Sequence, residues 1–288
     1  MPACQKMKSF SVSDKLKRFV LGAFFVLGLS SAPYALAGRD CEERVASPQA
    51  TAAAFDAASD LNAWLNNKGV SFAIIARQGT DLKKYGLTFS HAGFAYKNEK
   101  GDWIVIHDLN KCASDKSNLF EQGLAEFFGD DLKNNNVAIV IPAEDVQKKL
   151  MEALSEKNRY AMHEVHYSAV AYPFNTKYQN SNGWLLETFA KAVSLDDINT
   201  REQAQMRLKD LDYSPSVIEL GMLTRLGGRM FKANVAFDDH PPELRWNGKI
   251  TINAGDDVLR FVSRWGVSYP DCPPNKYGLA VCFLNAGE

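Results

Sequence analysis

Lys177-Tyr178-Gln179-Asn180-Ser181-Asn182-Gly183-Trp184-Leu185-Leu186-Glu187-Thr188-Phe189-Ala190 begins polar and turn-forming and becomes apolar after Gly183. Leu185, Phe189 and Val193 recur every four residues, which stacks them on one face of a helix. Asn180, Ser181 or Asn182 can cap that helix, because a short side-chain oxygen bonds the free N–H groups of a first turn. Ser181 therefore sits where backbone donors converge and where the helix dipole favours negative charge. A nucleophile is well served there, since a developing oxyanion needs such donors. An ordinary capping serine has the same address, and position alone favours that reading.

Working outward, two strands carry histidines. Residues 86–97 alternate, with Leu87, Phe89, His91, Gly93 and Ala95 against Thr88, Ser90, Ala92, Phe94 and Tyr96. Asn98-Glu99-Lys100-Gly101-Asp102 is a hairpin turn. Residues 103–109 form the next strand, with Trp103, Val105 and His107 on one face and Ile104, Ile106 and Asp108 on the other. Cross-strand neighbours on one face come within reach of each other. Nucleophilic catalysis needs a nucleophile, a base for its proton and a group that orients the base. Ser181, His91 and His107 can supply the three. The alternative is a pair of satisfied core histidines in a sheet.

The remaining pattern mixes helices and strands. Ser47-Pro48 opens a helix whose inner face is Ala54, Ala58, Leu61 and Leu65, and Gly69 ends it. Residues 70–77 and 137–141 are apolar strands. Residues 117–128, 143–155, 200–211 and 256–265 are expected to be helical, and 165–172, 217–220 and 231–237 extended. With helices and strands mixed and adjacent strands joined by a hairpin, α+β is the natural class. No internal repeat or low-complexity segment is present.

Residues 1–37 have the form of a secretory signal. Lys6, Lys8, Lys15, Lys17 and Arg18 precede an apolar run at 19–29, and Ala35-Leu36-Ala37 is a small-x-small cleavage site. The alternative is an uncleaved anchor, although the run is short for a bilayer. Cleavage would leave a single domain at 38–288, a periplasmic or secreted location and no stable membrane span. The whole chain carries 33 basic and 34 acidic residues. Five of the basic and one of the acidic residues leave with the signal, so the balance moves to about −5, which argues against a nucleic-acid partner. Cys41, Cys112, Cys272 and Cys282 remain, an even number that reads as disulfides in an exported chain. Their spacing suggests Cys41–Cys112 and Cys272–Cys282, one of three possible pairings. Asp238-Asp239-His240, with His163 and His166, is a candidate metal cluster. Adjacent aspartates diverge on a strand, and a turn role before Pro241-Pro242 fits them better. No metal or other cofactor is expected.

Phe89-Ser90-His91-Ala92-Gly93-Phe94-Ala95, then Ile106-His107-Asp108, then Gln179-Asn180-Ser181-Asn182-Gly183-Trp184-Leu185, resembles the permuted NlpC-type papain-like superfamily in order and character. That superfamily includes lecithin-retinol acyltransferase relatives and bacterial cell-wall peptidases. It carries a His-x-Gly-aliphatic strand, a polar residue on the next strand and a later Asn-Cys-x-x-aromatic-aliphatic helix start. Ser181 stands where that pattern has cysteine. More closely, Gly38-Arg39-Asp40-Cys41-Glu42, Tyr85-Gly86-Leu87, Ser90-His91-Ala92-Gly93, Tyr178-Gln179-Asn180-Ser181-Asn182 and 233–240 resemble a proteobacterial family named domain of unknown function 2145, a resemblance that spans most of the mature chain. The resemblances imply an exported protein with a papain-like antiparallel sheet packed against helices, plus a C-terminal extension. They further imply a hydrolase or an acyl or peptidyl transferase acting on an amide or ester of the cell envelope, with Ser181, His91 and His107 catalytic. Tyr178, Gln179, Asn180 and Asn182 would contact the peptide or acyl ligand, with Gln179 offering its amide to the oxyanion. A catalytically silent binding protein using the same groove is the alternative, and a metal-dependent enzyme built on Asp238, Asp239 and His240 is a third.

Overall fold

Every residue of the strand at Phe72–Arg77 is buried, which happens only when both faces of a sheet are covered. The computed structural model describes residues 47–111, 114–129, 136–221, 224, 227 and 233–284. Among them the chain runs α1 (Pro48–Asn67), β1 (Phe72–Arg77), β2 (His91–Lys97), β3 (Trp103–Asn110), β4 (Ser117–Gly123), α2 (Leu124–Gly129), β5 (Val137–Val140) and α3 (Glu144–Ala153). It continues with α4 (Ser181–Val193), α5 (Arg201–Asp210), β6 (Ser216–Glu219), α6 (Pro242–Trp246), β7 (Lys249–Ile252), α7 (Gly255–Val262) and β8 (Val281–Leu284). β4-β3-β2-β1-β5-β8 form one antiparallel sheet, and β6 and β7 pair separately. The class is α+β.

Alternation along the strands divides the core. Phe72, Ile74 and Ala76 of β1, with Phe94, Ile106 and Val140, pack against Trp184, Leu185 and Phe189 of α4 and Val258 and Val262 of α7. Ala73, Ile75, Ala95, Val105 and Ile139 face the other way, onto Leu61 and Leu65 of α1 and Phe127 of α2. Ser47 caps α1 by accepting from the Ala50 N–H at 3.1 Å, with Pro48 opening the first turn. A satellite core of Leu82, Leu87, Val170, Ile218 and Ile250 lies under the small sheet.

Several expectations need correction. Residues 117–128 are not one helix: 117–123 is β4, fully paired with β3, and only 124–129 turns helical. The outer N–H and C=O groups of β3 need partners, and that demand overrides the local apolar spacing. The strand expected from residue 86 starts at His91. Lys83–Tyr85 is a 3-10 turn closed by Gly86 at φ 73°, and the Thr88 and Phe89 N–H groups donate to the Asp256 carboxylate instead of a strand. Residues 165–172 make only single bridges, Lys116 with His166 and Tyr167 with Gln179. Residues 233–237 form no strand, and 231–232 lie outside the described residues. The Cys272–Cys282 disulfide is formed, whereas the expected Cys41–Cys112 pair and the 1–37 signal fall outside the described residues. No helix among the described residues is long and apolar enough to cross a membrane.

Candidate functional site

β2 and β3 part company at one end. Their ladder runs from Lys97 opposite Trp103 to Phe94 opposite Ile106 and stops there. Beyond that point the Asn182 side chain, in the first turn of α4, takes over. Its Oδ1 accepts from the Ala92 N–H at 3.1 Å, and its Nδ2 donates to the Ser90 carbonyl and the Asn253 carbonyl, each at 3.0 Å. The start of α4 is thus tied to the backbone on both sides of His91. Asn180 is the cap, accepting from the Gly183 N–H at 2.8 Å and donating to the Asn253 carbonyl at 3.0 Å. Ser181 is the first helical residue rather than the cap.

The two imidazoles meet. His91 Nε2 lies 2.7 Å from His107 Nδ1, and His107 Nε2 lies 2.9 Å from Gln122 Oε1 on β4. Phe127 packs against both rings, with centroids 5.7 and 5.2 Å away. The Arg77 guanidinium lies 5.2 Å from the Phe127 ring centroid. His107 is fully buried, while His91 at 9% and Ser181 at 6% each keep a sliver of exposed surface. Gly93 is required by this packing: a Cβ there would lie 2.8 Å from Val105 Cγ1 and 3.3 Å from His107 Cβ. Burial chiefly, then the Arg77 charge and then His107, pushes His91 well below the usual imidazole range. Burial and Arg77 bring His107 down to about 3 against the opposing bond to Gln122. Both rings are neutral at pH 7.

Among the described residues Ser181 makes no hydrogen bond to either ring. Its Oγ lies 3.4 Å from the Tyr167 hydroxyl. The expected hydrogen bond between hydroxyl and imidazole is therefore not formed in the resting arrangement, for a geometric reason. His91 and His107 leave the sheet on the side of Val105 and Phe127, whereas the body of α4 packs on the side of Phe94, and only its first turn reaches the parted end. Tyr167 is brought to Ser181 by Gln179. The Gln179 N–H donates to the His166 carbonyl at 3.0 Å, and the Ser168 N–H donates to the Gln179 carbonyl at 3.1 Å. Burial raises the Tyr167 hydroxyl to about 12, so it remains a donor.

The expected ligand contacts are mostly internal. The Gln179 side chain accepts from the Glu164 N–H at 2.8 Å and donates to the Met162 carbonyl at 2.8 Å and to Glu187 Oε2 at 2.6 Å. That leaves no amide hydrogen for an oxyanion, so the role expected of Gln179 is withdrawn. Glu187, buried on α4, is held by Arg201 at 2.7 and 3.0 Å and by Gln205 at 2.8 Å. Burial raises the Glu187 carboxyl, and Arg201 opposes the rise. Asn180 and Asn182 are structural in the same sense, and only Tyr178 keeps partial exposure. Asp239 accepts from the Tyr172 N–H at 2.7 Å and meets His240 Nδ1 at 3.0 Å, while Asp238 pairs with Lys177 at 2.6 Å. His163 sits by Asp108 at 3.4 Å and His166 by Glu164 at 2.7 Å. Among the described residues no group of three or more such side chains could hold a metal ion.

Sequence reasoning missed Tyr167 and Gln122. Tyr167 lies in an apolar run with no local sign of a site, and Gln122 lies in a segment that reads as helix. Among known proteins, neither a curated protein nor a solved structure matches the chain. The sequence model of a family described as an uncharacterized protein conserved in bacteria matches residues 64–262, which include His91, His107 and Ser181. The chain belongs to the domain of unknown function 2145 family.

Proposed function

We propose that the protein is an exported hydrolase, or an acyl or peptidyl transferase, that acts on an amide or ester of the cell envelope through Ser181, His91 and His107. The observation that carries this reading is the tie between the first turn of α4 and the backbone on either side of His91, next to a mutually bonded pair of neutral imidazoles. That arrangement supports a papain-like division of labour: a hydroxyl at a helix start, a base on a strand, and a second ring orienting the base.

The reaction begins when the Ser181 hydroxyl turns from Tyr167 toward His91. Its proton passes to the imidazole as Oγ bonds to the substrate carbonyl carbon. Negative charge grows on the carbonyl oxygen, and the Tyr167 hydroxyl, 3.4 Å from Ser181 Oγ, is a donor placed beside it. His91 then returns the proton to the departing amine or alcohol, leaving an acyl ester on Ser181. Water or an acceptor amine, deprotonated by His91, releases it.

Turnover of activated acyl esters and peptide amides by wild type, Ser181→Ala and Ser181→Cys tests this. Wild type should turn over at least one class, Ser181→Ala should lose on the order of 10³-fold or more, and Ser181→Cys should retain activity. A second reading, a silent envelope binding protein, is favoured by one observation: the resting hydroxyl is paired with Tyr167 and not with a base. Absence of turnover in both wild type and Ser181→Cys would select it.

A further inference from the structure

We infer that Gln122 is a positioning residue that sets the direction of the proton in the histidine pair and makes Nδ1 of His91 the basic atom; this rests on the reading of His91 as the base. The Gln122 amide oxygen, 2.9 Å from His107 Nε2, can only accept, so that nitrogen carries the hydrogen of the neutral ring. His107 Nδ1 is then a lone pair. His91 Nε2, 2.7 Å away, must donate to it and carries the hydrogen of its own ring. What remains is an unprotonated Nδ1 on His91. Neither imidazole can reverse its tautomer alone, because reversal at one ring would set two lone pairs or two hydrogens against each other.

The placement of Gln122 follows from the sheet. It lies opposite Val105 on β3, and its side chain leaves on the same face as His107, two residues along that strand. Arg77 faces the same rings, and its charge, with burial, disfavours a third proton on the pair, which keeps the direction a question of tautomer rather than of charge. When Ser181 reacts, its proton goes to His91 Nδ1 while the hydrogen on His91 Nε2 stays there and keeps donating to His107 Nδ1, so the cation that forms is still hydrogen-bonded.

Long-range nitrogen–proton correlation spectra of uniformly 15N-labelled protein at pH 7 read the tautomers directly, with His91→Gln and His107→Gln assigning the signals. Wild type should hold both rings as the Nε2–H tautomer. Gln122→Glu, as a carboxylate at pH 7, only accepts and should keep both tautomers. Gln122→Met offers no matching acceptor and should show mixed tautomers at both rings, with Ser181 acylation by an activated ester slowed on the order of 10²-fold. A wild-type His91 with hydrogen on Nδ1, or unchanged tautomers in Gln122→Met, overturns the inference. The spectra report on it even where no turnover is found, a result that would instead remove the catalytic reading.

Discussion

His107 carries a cost that pH reveals. Its ring is neutral in the fold down to about 3 but titrates near 6.5 once unfolded. The unfolded chain therefore binds more protons between those values, and stability that is intact above about 6.5 is lost as pH falls toward 3. The limiting slope from this one group is about 1.4 kcal/mol per pH unit. Urea melts at pH 7.5 and 5 should show wild type losing more stability than His107→Gln, whose side chain does not titrate. Equal losses in the two proteins would mean that the ring does not stay neutral. Asn182 makes a second test at this scale. Asn182→Ala leaves the Ala92 N–H and the Ser90 carbonyl without this partner, while the Asn253 carbonyl keeps the Asn180 amide, and each such buried group costs roughly 1–3 kcal/mol. A loss of about 2–4 kcal/mol in denaturant melts is expected, with a fall in any Ser181 reactivity.

At the scale of elements, the parted end of β2 and β3 depends on close approach at Gly93. Gly93→Ala sets a methyl carbon 2.8 Å from Val105 Cγ1 and against His107 Cβ, so the strands must shift. Overpacking of this kind costs about 1–3 kcal/mol, and a thermal melt should show a clear drop. Gly129→Ala is the control, because Gly129 has no positive φ and a Cβ there meets nothing within 4 Å. Much of this was legible in the residues. The alternation of 91–97 and 103–109 predicted that His91 and His107 share a face, and Ser47-Pro48 announced α1. Other parts were not legible. β4 is a strand because β3 needs an outer partner, which no local pattern records. β7 and β8 are four residues each, too short to carry a period. Gln179 read as a free amide because its three partners come from Met162, Glu164 and Glu187, distant in sequence but adjacent once 164–168 pairs with 179. The turn of Ser181 toward Tyr167 is likewise a matter of which face α4 covers.

For the whole molecule, the tail is bound back onto the core. The Cys272–Cys282 disulfide closes a loop of ten residues' separation that includes Tyr277, whose hydroxyl donates to Asp256 at 2.7 Å. Asp256 in turn accepts from the Thr88 and Phe89 N–H groups just before His91. Replacing both cysteines by alanine should lower stability by about 2–3 kcal/mol through the entropy of the unfolded chain, read by guanidinium melts without reductant. The central claim concerns one hydroxyl and one ring across the parted strands. Its most direct measurement is mass-spectrometric mapping of a fluorophosphonate adduct on wild type and His91→Ala at pH 7.5. The account predicts a phosphonyl group on Ser181 in wild type and its loss in His91→Ala. An unmodified Ser181 in wild type, or equal labelling of the two proteins, would contradict it.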